Sequence, residues 1–468
     1  MAPKFGTSGV RGLVTELTEA CVSDYVRSFA NQCDTGGTVY VGWDLRESSP
    51  AISNVVVETL RQTGNNVVSC GVLPTPALAY QAQLARAGAV MITGSHIPAD
   101  RNGIKFYTTS GEISKDDEAR IVASMGEANS FEGKQGTLTD GGPAALAHFQ
   151  ERYCAEPGAF DLSGLKVGVY QHSSVARDLL VDVLQMLGAE VVALERTDTF
   201  VPVDTEAMDP TSRRKFSTWC NEHRLDALLS TDGDADRPML TDAQGSLVPG
   251  DVLGAITASF LKADVICTPV SSNSMINHMP TFRTVALTKI GSPYVVAAME
   301  AAQEGDASCK VVGFEANGGF LLGFHSQIGA LTMAPLLTRD CVLPMITTLA
   351  AANQAKMTIA EFVKTLPAVS TAADRLVGVP TEKSKAFIAM LTRDAQARSA
   401  FFDVGSEEQG VNTLDGLRVS FAEGEVVHLR PSGNAPEFRC YAEAGTARRA
   451  AELVQKHLNK IGARLADG

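Results

Sequence analysis

The chain has 468 residues, 45% of them hydrophobic, and a mean hydropathy of +0.03, which suits three or four folded domains and excludes a disordered chain. Its 40 Lys and Arg against 53 Asp and Glu give a net charge of −13, and with no basic stripe anywhere nucleic acid is an unsuitable partner. The longest apolar tract, 329–352, is interrupted by Arg339, Asp340 and two prolines and predicts one or two buried helices, so no membrane association is expected.

From the N-terminus, the polar, glycine-rich stretch at 4–11 has no export-signal core. The nine scattered cysteines, without a CxxC pair, are then expected as reduced thiols in a cytoplasmic protein. Three regions follow with one order of features. In the first, an apolar strand at 39–42 leads to Asp44, Arg46 and Ser48-Ser49, a helix at 51–62 stopped by Gly64, and a strand at 66–70. The second repeats this with 166–170, Ser173-Ser174, a helix at 175–187 stopped by Gly188, and 190–194. The third has 264–269, Ser271-Ser272, a short helix and 284–287. The serine pairs are placed as helix N-caps. Each region adds a further helix (77–87, 211–223, 294–304) and a third strand (89–92, 226–230, 310–313). Alternating strands and helices with glycine stops predict α/β layers with mixed, mostly parallel sheets. From about residue 368 the pattern changes. Strands at 418–422 and 426–430 flank Glu423-Gly424, a polar loop leads to a strand at 438–442, and an amphipathic helix spans 447–465. This is a smaller α+β domain, joined through a hinge at Leu366-Pro367.

The unusual chemistry follows the third strands, at strand ends where α/β folds bind ligands. Asp232, Asp234 and Asp236, with Gly233 between the first two and Arg237 after them, can converge on one hard cation, Mg²⁺ or Ca²⁺. Arg237 and Ala243 stand where an EF-hand needs Gly and Glu, so that motif is excluded, and the alternative is a solvated acidic turn. The trailing arginine favours Mg²⁺ together with a phosphate. Ser95, after Gly94, is a nucleophile, a cap or a plain loop hydroxyl, and taken alone the cap is favoured; His96 alone is an ordinary loop histidine. The loop from Arg430 to Arg439 is either a phosphate clamp or a turn, and the segment around Arg11 is either an arm or an anion contact.

In order, FGTSGVRG at 5–12, TGSHIP at 93–98, NGIK at 102–105, DGDADR at 232–237, GFEANGG at 313–319 and RPSGNAPEFR at 430–439 resemble the α-D-phosphohexomutase superfamily, in particular its bacterial phosphomannomutase/phosphoglucomutase members. The resemblance covers the whole chain and implies three similar mixed-sheet α/β domains and a smaller α+β phosphate-binding domain around a central cleft. The limits it suggests are 1–155 for a phosphoserine domain, 156–252 for Mg²⁺ binding, 253–367 for sugar binding and 368–468 for phosphate binding. It also implies that Ser95 carries a phosphoryl group and, with Asp232, Asp234 and Asp236, binds Mg²⁺. Arg11, Lys105 and Arg237 would surround that phosphate, Glu315 and Asn317 would read sugar hydroxyls, and Lys289 would contact ligand. Arg430, Ser432, Gly433, Asn434 and Arg439 would grip the non-reacting phosphate. The implied reaction interconverts hexose 6- and 1-phosphates, most readily those of mannose or glucose, through hexose 1,6-bisphosphate. The partners are small sugar phosphates, and the chain is expected as a monomer or weak homodimer. Gly319 stands where the family's sugar loop commonly has histidine, leaving Lys105 or His96 for proton transfer, and Asn317 replaces a serine. Phosphoglucosamine mutase is the enzymatic alternative, and a sugar-phosphate sensor the non-enzymatic one.

Overall fold

The computed structural model describes residues 3–127, 132–156, 158–206, 208–432 and 436–466; Gly433 and Asn434 lie outside them. Three sheets share one plan. In each, the first strand in sequence lies between the second and third, both parallel to it, and a fourth strand returns antiparallel beside the third. In the N-terminal region these are Thr38–Trp43, Asn66–Val72, Gly88–Ile92 and Arg101–Thr108, extended by short strands including Val10–Leu13. The next set is Lys166–His172, Glu190–Arg196, Ala227–Thr231 and Pro238–Thr241. The third is Val265–Pro269, Thr284–Thr288, Val311–Phe314 and Phe320–Leu322, with Leu336–Asp340 at the edge. All three third strands are buried along their whole length, as expected for continuous apolar runs covered on both faces. Because each is followed by an antiparallel return, the loops at 93–98, 232–237 and 315–319 are hairpin-like and hold their side chains close to the sheet edge.

The C-terminal region is an antiparallel sheet in the order Ser370–Val377, Glu437–Ala444, Val426–Pro431, Leu417–Phe421 and Glu408–Asn412. The helix Ala447–Ala466 packs along it. One continuous apolar core joins residues of the first three regions, including Phe149, Leu180, Leu253, Phe314 and Leu343, whereas the last region has its own, around Phe402, Phe438 and Leu453. Smaller clusters lie within the first, second and third regions, around Phe29, Phe216 and Val295. Between the third region and the last, the Val369 carbonyl accepts from Asn273 Nδ2 at 3.0 Å.

Two expectations are corrected. The serine pairs are not side-chain caps. Ser48 makes no capping bond, and Asn102 Nδ2 instead donates to Ser48 and Ser49 at 2.8 and 2.9 Å. Ser174 and Ser272 bond the hydroxyls of Thr231 and Thr268 at strand ends, and the short helix Ser274–His278 is capped by Asn273. These hydroxyls tie strand ends to neighbouring loops, where buried polar groups need partners. The apolar tract at 329–352 also differs: it forms strands Leu331–Met333 and Leu336–Asp340 before the helix Val342–Ala355. Burial on all sides made both look like helix. All nine cysteines are free. No helix among the described residues is long and apolar enough to cross a membrane.

Candidate active site

Ser95 lies on a loop that its neighbours hold rigid. Its φ is +55°, in the left-handed region, and its Oγ donates to Asp232 Oδ2 at 2.5 Å, so it is not a cap. Behind it, Arg46 donates to four carbonyls: Ser95 at 2.9 Å, Ile97 at 2.6 Å, Pro98 at 2.7 Å and Arg101 at 2.9 Å. The guanidinium is buried against Asp44 and stacks 4.0 Å above the Phe200 ring of the second region. Gly94 must be glycine, since a Cβ there would stand 2.7 Å from Arg46 Cζ. Asp44, in turn, accepts from Ser49 and Thr93 at 2.6 and 2.8 Å. The sequence placed Asp44 and Arg46 after a strand but gave them no role, because their partners lie some fifty residues away.

Asp232, Asp234 and Asp236 converge as the spacing suggested. All three are buried and offer ligand oxygens within 4.8 Å of one another. Gly233 allows the approach, since a Cβ would meet the Phe200 ring at 2.8 Å and the Ser95 carbonyl at 3.0 Å. Lys105 Nζ bridges Asp234 and Asp236 at 2.6 Å each, and Thr75 Oγ1 donates to Asp234 Oδ2 at 2.6 Å. Asp234 Oδ1 and Asp236 Oδ1 remain buried with no hydrogen-bond partner. Two orphaned carboxylate oxygens beside Asp232 and a serine hydroxyl form an all-oxygen donor set of the kind hard divalent cations take, so these residues fit a metal.

The electrostatics are those of packed opposite charges. Burial, then Asp234 and Asp236, push the Asp232 carboxyl well up. Burial would also raise Asp236, but Arg339, Lys105 and Arg237 outweigh it and hold it down. Lys105 is raised because the pull of Asp234 and Asp236 exceeds the cost of its burial. Burial and then Arg237 lower Arg11 to about 10. Arg237, then burial and Arg11, push His96 well down, and its Nδ1 lies 3.2 Å from Ser95 Oγ. Arg237 Nε sits 3.9 Å from both Asp232 and Asp236, and Nη1 is 3.7 Å from Glu206.

The other predicted residues lie in the third and last regions. Glu315 is buried and bonded to Arg339 Nη1 at 3.2 Å, with Asn317 Nδ2 at 3.4 Å. Arg430 Nε donates to Asp415 Oδ1 at 2.9 Å, while Asp415 Oδ2 accepts from Ile290 N at 3.0 Å beside Lys289, so the last region meets the third here. Lys289 Nζ lies 5.8 Å from the Tyr294 ring centre. Arg439 Nη2 donates to Glu437 at 3.2 Å, and the backbone N–H of Ser432 donates to the Glu437 carbonyl at 3.0 Å. Glu206, within electrostatic reach of Arg237, Glu315 and Arg439, was missed, as were Thr75, Asp415 and Arg339. For Arg339 there was a signal: a charged pair inside an apolar tract.

Comparison with known proteins agrees with this geometry. Models of phosphoglucomutase/phosphomannomutase α/β/α domains I, II and III match residues 2–131, 147–245 and 249–369, and the model of the C-terminal domain matches 376–460. A phosphomannomutase of Sinorhizobium fredii is 42% identical over 469 residues, covering 98% of each chain. One from Salmonella muenchen is 41% identical, covering 98% of this chain and 96% of its own. The fold also matches the crystal structure of a phosphoglucomutase/phosphomannomutase family protein of Burkholderia thailandensis, with a TM-score of 0.77 at 20% identity over 98% of this chain and 97% of that one. Full-length kinship and a serine set against a carboxylate triad place this chain in the phosphoglucomutase/phosphomannomutase family of enzymes.

Proposed function

We propose that this protein is a cytoplasmic phosphohexomutase that interconverts mannose 6-phosphate and mannose 1-phosphate through a phosphorylated Ser95 and a hexose 1,6-bisphosphate. The observation that carries this is Ser95 Oγ, bonded to Asp232 in a triad with two oxygens that have no hydrogen-bond partner, inside a chain 42% identical to a phosphomannomutase. We place the domains at 1–155, 156–252, 253–367 and 368–468.

The C1 and C6 oxygens are too far apart on the ring for direct transfer, so the phosphoryl group moves in two steps. The O–P bond to Ser95 breaks as one forms to the free sugar hydroxyl; that hydroxyl gives up its proton, and the Ser95 oxygen, released as an alkoxide, takes one up. The bisphosphate turns over, and its other phosphoryl group returns to Ser95. Phosphoryl transfer needs positioning and charge stabilisation more than covalent chemistry. Mg²⁺ held by Asp232, Asp234, Asp236 and the Ser95 oxygen would draw charge from the phosphoryl group. Arg11, within electrostatic reach of Asp234 and Asp236, and Arg237 would stabilise the same charge, and Lys105 bridges Asp234 and Asp236. His96, with Nδ1 3.2 Å from Ser95 Oγ, would orient that oxygen rather than act as base, since Arg237, burial and Arg11 lower its proton affinity. Lys289, Arg430, Ser432, Gly433, Asn434 and Arg439 would hold the non-reacting phosphate, spending its binding energy on orientation. Glu315 and Asn317 would read the hydroxyls.

The test is kcat/KM for mannose, glucose and glucosamine 1-phosphates with trace hexose 1,6-bisphosphate. Mannose is expected to lead, and absence of turnover on all three sinks the proposal. A second expectation concerns Arg46. Arg46→Lys keeps the charge but loses the fork that gathers four carbonyls, so Ser95 drifts and kcat should fall about 10²-fold. Steady-state kinetics on the variant checks this, and unchanged kcat refutes it.

A further inference from the structure

Arg339 is a charged residue of the site that none of the sequence motifs contains. It lies on Leu336–Asp340, 5% exposed, and its guanidinium reaches three regions of the chain. Nε and Nη2 donate to Asp236 Oδ2 at 3.0 and 2.6 Å. Nη1 meets Glu315 Oε2 at 3.2 Å and Ser292 Oγ at 3.3 Å, and Nη2 meets Ser8 Oγ at 3.4 Å. Ser8 and Ser292 themselves donate to the two oxygens of Glu112, at 2.5 and 2.8 Å. One planar cation therefore joins the carboxylate loop to Glu315, and a ring of hydroxyls ties both to the N-terminal region. Arginine suits this because its donors are fixed in a fork that lysine lacks. The aliphatic part of the side chain fills the space above Gly319. A Cβ there would stand 2.5 Å from Arg339 Cδ, 2.6 Å from Cγ and 2.8 Å from Cβ. Gly319 has no left-handed backbone to accommodate, so its lack of a side chain is explained by Arg339 alone.

We propose that Arg339 is a specificity-determining positioning residue that fixes Glu315 at a set distance from the phosphoryl-transfer centre. The inference rests on the mutase activity proposed above. It implies that the orientation of the sugar-reading carboxylate is set by the same guanidinium that shares Asp236 with the cation site. Arg339 therefore opposes cation binding electrostatically while it supports sugar binding. A residue that merely filled space would support both.

The experiment compares wild type, Arg339→Gln, Arg339→Lys and Gly319→Ala for kcat and KM on mannose and glucose 1-phosphates. Mg²⁺ affinity without sugar is measured by calorimetry. Arg339→Gln is expected to raise KM about tenfold or more, with a smaller fall in kcat, and to shrink the mannose-to-glucose ratio severalfold. It should also bind Mg²⁺ more tightly, on the order of tenfold, because a nearby positive charge is gone. Arg339→Lys should keep the wild-type Mg²⁺ affinity yet still lose sugar discrimination, and Gly319→Ala, which pushes the arginine aside, should raise KM likewise. Unchanged KM and sugar ratio, or sugar and Mg²⁺ affinity falling together, overturn the proposal. If Arg339→Gln does not fold, wild-type kinetics in both other variants overturn it. A wild type inactive on every hexose phosphate would instead sink the mutase activity, a result separable from any behaviour of the variants.

Discussion

Ser95→Ala is expected to give a folded protein that binds sugar phosphate and does not turn it over, with kcat lowered on the order of 10⁴-fold or more. The loss should be this large because no other group in the site can stand in for the missing oxygen. The remaining machinery only positions and stabilises charge. Folding should survive, since the hydroxyl's single strong bond is to Asp232, an interaction at 2.5 Å within a cluster that keeps its three cations. Intact-mass measurement gives an independent check. The wild type should carry a fraction about 80 Da heavier from a phosphoryl group, and the variant should carry none at that position. A variant with wild-type turnover would show that Ser95 is not the donor, whatever the sugar preference.

Removal of the divalent cation should have the next largest effect. Treatment with a chelator, or Asp234→Asn, should lower turnover about 10³-fold or more, and only the chelated wild type should recover on adding Mg²⁺. Asp234 is the sharper probe because its Oδ1 is unpartnered, whereas its Oδ2 already accepts from Lys105 and Thr75. Mg²⁺ should also raise the melting temperature. At a hundredfold excess over Kd, binding to the folded state alone contributes about 2.7 kcal/mol. A chelated protein of full activity and an unmoved melting temperature would rule out a metal at these three carboxylates.

Much of this site could be read from the chain because its parts are local. Asp232, Asp234 and Asp236 meet since they are two residues apart on one tight loop, and Ser95 and Glu315 could be placed because each follows a fully apolar strand. The repeat was likewise visible in the recurring order of strand, helix and strand. What escaped depends on distance along the chain. Arg46 finds its carbonyls some fifty residues away, and Arg339 finds Asp236 and Ser8 at separations of 103 and 331 residues. No spacing rule reports such pairs. The serine pairs misled for a related reason: a hydroxyl before a helix looks like a cap unless its true partner, such as Asn102 for Ser48 and Ser49, is seen.

The apolar cluster of the last region shares no residue with the core that joins the first three, which bears on the proposed reaction cycle. In the proposed cycle the bisphosphate, with a multiply charged group at each end, has to swing end over end midway without escaping. A cap that lifted while the rest kept its geometry would let capture loosen at that moment and tighten again after it. Release and rotation would then differ only in how far the cap opens, and the same joint would govern both how often the guest is lost and how fast it turns.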